Sequence, residues 1–357
     1  MTDPVVAMKS PHSEVRTRTG RTGRIGGVLG IVSLLCAIAL VALPERDRHD
    51  TAPLPENLEL AGPQVEDSSR STFALPGEEK MATVSFSAKK GERRVIGLDV
   101  EATFEAESGR KRALYSTVGI ACGPVDGNGE GEASSGTENL LNSTTRNMRR
   151  TLVYTAPSAG THRCNARFAA NTWDPDYADA EVHLSSKLAT SRDPAGFALE
   201  ARPDPQHPVV VRSGEDRVVV DETFVLDRSR APEGMSVSIS SHLTSCVIEN
   251  GSKDGTEQNL CQGELIDREG SLVSSSTTVE MLQGEAVCRE MTVDSEIVGI
   301  DHLVHHRMLG SRHTVDSFLD DPCGEKIRVR QDLRNEGPAA VVFHRNSSSV
   351  VISGIGT

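Results

Sequence analysis

The sequence predicts an all-β exported region, arranged as two tandem β-sandwich-like repeats after a single N-terminal transmembrane helix. Three observations predict it. A run of nineteen uncharged residues, Ile25 to Leu43, interrupts an otherwise polar N-terminal stretch. Strict period-two alternation of apolar and polar residues follows it. Several residues then recur at a constant spacing of 124.

The apolar run comes first. At about 1.5 Å per helical residue it spans roughly 28 Å, close to the hydrocarbon thickness of a bilayer. Inside lipid the backbone must satisfy its own hydrogen bonds, so the run is helical there. The head, residues 1–24, carries Lys9, Arg16, Arg18, Arg21 and Arg24 against Asp3 and Glu14, a net of +3. The whole chain carries −13, which leaves −16 beyond the run. Positive flanks stay cytoplasmic, so the expectation is a single-pass protein of the cell membrane, N-terminus inside and C-terminal region extracytoplasmic. The rival expectation is secretion after cleavage at Ala37-Ile38-Ala39, leaving Leu40 at the new N-terminus. The length of the run favours the uncleaved anchor.

Residues 44–72 read as a stalk. Pro44, Pro53, Pro55 and Pro63 punctuate a charged stretch without apolar periodicity, and proline disfavours helix. From Phe73 onward the alternation begins. Ile96, Leu98, Val100, Ala102 and Phe104 share one face of a strand, and Met235, Val237, Ile239 and Leu243 repeat the pattern. No long amphipathic helix interrupts these strands, which defines an all-β region.

The constant spacing suggests duplication. Phe73-Ala74-Leu75 recurs as Phe197-Ala198-Leu199, Cys122 as Cys246, Gly160 as Gly284 and Cys164 as Cys288. Gly91-Glu92 recurs near that register as Gly214-Glu215. The expected boundaries are 73–196 and 197–320, with 321–357 a C-terminal β extension packed on the second repeat. Of seven cysteines six lie beyond the apolar run, an even number suited to an oxidising compartment. The repeat pairs Cys122 with Cys164 and Cys246 with Cys288, leaving Cys261 to pair with Cys323 and tie down the extension. No C-x-x-C pair is present, which disfavours zinc ribbons and dithiol redox motifs.

Three stretches carry residue types that could do chemistry. Asp126, Asn128, Glu130 and Glu132 place oxygen ligands at alternate positions, as a calcium loop begins. Thr137 stands where such a loop needs a bidentate glutamate, so the expectation is a solvated connection and no cofactor, calcium being the one exception the residues offer. Trp173, Asp174, Asp176, Tyr177 and Asp179 set aromatics beside carboxylates, a set suited to a sugar face or a cation. Large aromatics are mostly buried, which favours a packed Trp173 and a turn. His302, His305, His306 and His313 are the densest histidine group; on a strand His302 and His306 would share a face.

The chain lacks a G-x-S-x-G elbow, an H-E-x-x-H pair and a P-loop. Its negative exported half disfavours nucleic acid. The expected function is therefore non-enzymatic: binding or structural interaction at the cell envelope, with an envelope protein or glycan as partner. The alternatives are a carbohydrate- or calcium-dependent binding module and a hydrolase whose paired carboxylates are distant in sequence.

Overall fold

A computed structural model of the chain describes residues 64–74, 77–105, 113–127, 131–171, 180–193, 197–202, 208–227, 234–247, 261, 264, 266–294, 297–315 and 323–355. All of them belong to one compact unit, 49–357. The apolar run Ile25–Leu43 lies outside them, and among the described residues no helix is long and apolar enough to cross a membrane.

The alternation read from the sequence becomes a sandwich in each half. The N-lobe strands are β1 (Gln64–Ala74), β2 (Gly77–Ala88), β3 (Arg93–Glu105), β4 (Ala113–Pro124), β5 (Glu132–Leu141), β6 (Thr144–Thr155), β7 (Gly160–Asn171) and β8 (Glu181–Arg192). They form two antiparallel sheets, ordered β1-β8-β3-β6 and β2-β7-β4-β5. On β3 the side chains Ile96, Leu98, Val100, Ala102 and Phe104 all point inward and are fully buried. They pack with Leu114, Ile120, Leu152, Phe168 and Leu188 from strands of both sheets. Each of the larger side chains contributes about 1.5–3 kcal/mol on burial, which is why the inward face of these strands is apolar.

The C-lobe strands are β9 (Leu199–Ala201), β10 (Val209–Val211), β11 (Asp216–Val225), β12 (Gly234–Ser245), β13 (Ser271–Gln283), β14 (Ala286–Asp294), β15 (Val298–Ile300), β16 (His306–Thr314), β17 (Lys326–Asn335), β18 (Val341–Phe343) and β19 (Ser349–Ile355). One sheet runs β11-β17-β13-β14, with β15 also on β13. In the other, β10 pairs with β18 and β9 with β19, both of which pair with β12, and β12 pairs with β16. A 3-10 turn, Arg345–Ser347, separates β18 from β19.

Counting β9/β10, β14/β15 and β18/β19 as interrupted single strands, both lobes have the same wiring. One sheet holds the first, eighth, third and sixth strands, the other the second, seventh, fourth and fifth. That order is an eight-stranded jelly roll.

The wiring corrects the sequence reading in three places. β1 begins at Gln64, inside the stretch expected as stalk. Residues beyond 320 are not an added layer: β17 lies between β11 and β13, and β18 and β19 lie between β9/β10 and β12. The last two strands of a jelly roll pair in the middle of each sheet, so the C-lobe needs β17, β18 and β19. Finally, Cys122 ends a fourth strand and Cys164 sits on a seventh, whereas Cys246 follows a third and Cys288 lies on a fifth. The 124-residue offset therefore does not superpose equivalent strands.

The disulfides follow from this. Cys122 and Cys164 face each other directly across β4 and β7 and are bonded, as expected. Cys246 and Cys288 belong to opposite sheets and cannot pair. Cys246 bonds Cys261, and Cys288 bonds Cys323, which corrects both other pairings. Cys246 and Cys261 pack with Val210, Ala340 and Val342 in a small separate cluster, while Cys323 packs on the C-lobe core.

Candidate functional site

Among the described residues, several buried ionisable groups gather where the two lobes meet. The outer face of the β1-β8-β3-β6 sheet turns Val95, Val153 and Ala189 onto Ala198 and Val351 of the C-lobe. Both faces of β3 are consequently buried from Arg94 to Val100. Around this small apolar patch the contacts are polar.

Glu138 on β5 and Arg307 on β16 form a buried ion pair between the lobes. They are 3% and 6% exposed, and Arg307 Nη1 donates to Glu138 Oε1 at 2.5 Å. Glu138 Oε2 accepts from the Met308 backbone N–H at 2.6 Å. Arg307 Nε donates to the Gly299 carbonyl at 3.0 Å, and Arg146 approaches Glu138 to 4.0 Å. The Asn139 side-chain oxygen accepts from the His306 N–H at 2.6 Å. Met308 reaches the N-lobe core, its sulfur lying 2.8 Å from where a Cβ on Gly136 would stand.

Arg150 on β6 is 2% exposed and donates to two carbonyls, Ser135 in its own lobe and Ser347 in the other, the latter at 3.1 Å. Burial lowers its guanidinium to about 10, with the charge of Arg202 acting the same way. Asp99 on β3 sits 3.3 Å from Arg149. Burial pushes its carboxyl up, against the pull of Arg312, Arg149 and Lys187. Arg312 of β16 reaches Ser238 and, across the junction, Thr151 at 3.4 Å.

Beside these lies a stack of imidazoles. His242 on β12 is sandwiched between His344, 4.7 Å away at 26°, and His306, 5.3 Å away at 14°. His305 meets His306 edge-on, and Tyr115 of the N-lobe does the same at 5.2 Å. His242 Nε2 and His306 Nδ1 share a hydrogen bond of 3.0 Å, and His344 Nε2 bonds the Thr244 hydroxyl. Among the described residues no group of three or more histidine, cysteine or acidic side chains is placed to hold a metal ion.

Burial holds His242 well below the usual imidazole range, helped by the charges of His344, His306, Arg150 and His305. The sign follows directly. In the unfolded chain the ring takes a proton near pH 6.5, in the fold only at lower pH, so the unfolded state binds more protons below about 6.5. Stability should therefore fall as pH drops through that window; His313, also lowered by burial, acts the same way. Asp99 has the opposite sign, because the fold keeps its proton longer than the unfolded chain does. Urea midpoints of wild type and His242→Phe, compared from pH 7.5 to 5, isolate the imidazole. Wild type should lose stability more steeply on acidification, and parallel curves would show the stack to be indifferent to pH.

The stretches singled out in the sequence do not form this site. Trp173, Asp174, Asp176, Tyr177 and Asp179 lie outside the described residues, as do Asn128 and Glu130. Asp126 stands in the turn after β4, and Glu132 opens β5 opposite Cys122. Burial pushes the Glu132 carboxyl up, against a backbone hydrogen bond with Thr155. Of the four grouped histidines, His306 and His313 lie on β16, whereas His302 and His305 precede it. His302 bonds the Arg268 carbonyl, so it shares no strand face with His306. Glu138, Arg150, His242, Arg307 and His344 were not singled out at all. The signal for them was faint: Arg146, Arg149 and Arg150 crowd a strand that also carries Leu152 and Tyr154. Such a strand has charge on a face that cannot all be solvated.

No protein-family model matches the chain, and no curated protein does. Among solved structures it is similar to PNGase F, a glycosylasparaginase from Flavobacterium meningosepticum, at 10% identity and TM-score 0.32, over 83% of this chain and 97% of that one. The N-terminal CBM22-1–CBM22-2 tandem domain of Paenibacillus barcinonensis Xyn10C aligns at 10% identity and TM-score 0.23, over 82% and 93%. The structure of infectious bursal disease virus Gx strain aligns at 9% and 0.28, over 84% and 72%. Likenesses this distant carry no argument about function.

Proposed function

We propose that this chain is a membrane-anchored extracytoplasmic protein with a non-enzymatic binding or structural role at the cell envelope, its two jelly rolls acting as one rigid body. The observation that supports this best is how the buried charges are used. Glu138, Arg307, Arg150 and Asp99 are spent on contacts within and across the lobe junction and not gathered around an open cleft. A polar junction of this kind fixes the orientation of two β bodies, as a scaffold for recognition requires. The Ile25–Leu43 run supplies the anchor and the basic head sets the orientation. Tandem copies of one unit remain the simplest origin of the shared wiring, with strands and not cysteines in correspondence. An envelope protein or glycan is the partner class, and no cofactor is required.

The test is fractionation with protease protection. The full-length chain should stay with membranes, keep its own N-terminus, and lose its lobes to protease added from outside. Soluble protein in the medium beginning at Leu40 would overturn the anchor. Capture of glycan fractions in preference to envelope proteins would decide the partner class.

A further inference from the structure

Two turns of this chain are built alike, and one of them is already filled. Lys89-Lys90-Gly91-Glu92 joins β2 to β3, and Arg212-Ser213-Gly214-Glu215 joins β10 to β11. Gly91 and Gly214 take φ of +78° and +72°, a region open to glycine at little cost. Their N–H groups each donate at 2.8 Å, to the carbonyls of Ala156 and Asn335. The glutamate N–H returns to the first residue of its turn, at 2.9 Å for Glu92 and 3.0 Å for Glu215. Each glutamate side chain then accepts from the N–H of that same first residue, at 3.1 Å from Lys89 and 2.8 Å from Arg212. An arginine two residues on pairs with it, Arg94 at 3.1 Å and Arg217 at 3.7 Å.

The turns differ in what meets the basic first residue. Arg212 holds the carboxylate of Glu264 in a two-pronged pair, 2.9 Å from Nε and 2.6 Å from Nη2. On the N-lobe turn no carboxylate of the described residues meets the Lys89 ammonium. In its place is a shallow depression, largely open to solvent, of about 380 Å³ and lined by Lys89, Glu92, Arg94, Gly160, Thr161 and Arg192. Burial works against an ionised Glu92, but the Lys89 N–H and the guanidiniums of Arg192 and Arg94 outweigh it and hold its carboxyl below the usual range. Three cations and one anion leave the cavity positive. Arg192, about half exposed, faces Glu92 through Nε at 3.3 Å, so its charge is partly met within the turn and Lys89 is the cation left without a carboxylate among the described residues.

We infer that the N-lobe cavity takes a carboxylate, the glutamate side chain of a partner protein segment, paired with the Lys89 ammonium where Glu264 is paired with Arg212. A sugar acid shares the charge but not the fit. Phe86, the ring under Arg94 at 4.7 Å, is 6% exposed and offers no stacking face. The inference rests on the interaction reading only in naming a protein segment, and it can fail while membrane fractionation stands.

Saturation-transfer NMR tests it, on the full-length chain in detergent at low salt, where surface charge is least screened. The probe is acetyl-Gly-Glu-Gly-amide, with the glutamine peptide as control. Binding in the millimolar range is expected, about 5-fold stronger for the glutamate peptide, the scale of one exposed ion pair. Lys89→Glu should erase that preference, and Lys90→Glu, with the same change in net charge but outside the cavity lining, should keep it. Equal binding of both peptides, or equal loss in both variants, would overturn the site. Glucuronate displacing the peptide at lower concentration than free glutamate would overturn the protein segment as its occupant.

Discussion

Glu138→Ala should destabilise the fold by about 3–5 kcal/mol, the cost of leaving one partner of a buried ion pair uncompensated. Arg307 is 6% exposed and has no water to turn to, and the Met308 N–H loses its acceptor in the same step. The loss falls on the lobe junction, because Glu138 belongs to one lobe and both its strong donors to the other. Urea denaturation should therefore change shape as well as midpoint: lobes that unfold together in wild type should separate into two transitions. The double variant Glu138→Leu with Arg307→Met distinguishes the pair's net worth from the cost of an orphaned charge. Replacing a buried pair by apolar residues of similar size is often neutral, so the double variant should recover most of the single variant's loss. A Glu138→Ala variant as stable as wild type would mean that the junction is held by its apolar patch, Val95, Val153, Ala189, Ala198 and Val351, alone.

The all-β fold was legible because alternation is a local signal. Ile96 to Phe104 and Met235 to Leu243 showed their buried faces without any knowledge of partners, and both became central strands, β3 and β12. What the local signal does not carry is order within a sheet. A jelly roll places β17 between β11 and β13 through contacts distant in sequence, so residues beyond 320 looked like an appendage. The recurring cysteines misled for the same reason: equal spacing along the chain is not equal position in the wiring. The junction was harder still. Glu138 lies in Gly-Thr-Glu-Asn, an unremarked polar stretch, and its partner stands 169 residues away. Its carboxylate became structural only because two sheets close over it, which no periodicity reports. Gly91-Glu92 and Gly214-Glu215 were visible as a match, and the structure gives that match a meaning the offset did not. The same turn chemistry recurs at different places in the two wirings.

Removing the Cys122–Cys164 bond by Cys122→Ala with Cys164→Ala should lower stability by about 4 kcal/mol on the loop-closure estimate. The loop it closes spans 42 residues, against 35 for Cys288–Cys323 and 15 for Cys246–Cys261. Closure alone ranks the three only weakly, at about 4, 4 and 3 kcal/mol, because the dependence on length is logarithmic. Position in the fold separates them further. Cys122 and Cys164 are 4% and 0% exposed in the N-lobe core, so alanines there also leave the volume of two sulfurs unfilled. Cys246, 1% exposed, and half-buried Cys261 pack instead in a small satellite cluster apart from the C-lobe core. The expected order of midpoints in urea is thus lowest without Cys122–Cys164, then without Cys288–Cys323, and highest without Cys246–Cys261. Loss of the last bond should still release the segment bearing Glu264, uncovering Arg212 while the C-lobe stays folded. A Cys246→Ala with Cys261→Ala variant that unfolds as readily as the N-lobe variant would show that this segment belongs to the folded core and is no mere cover on it.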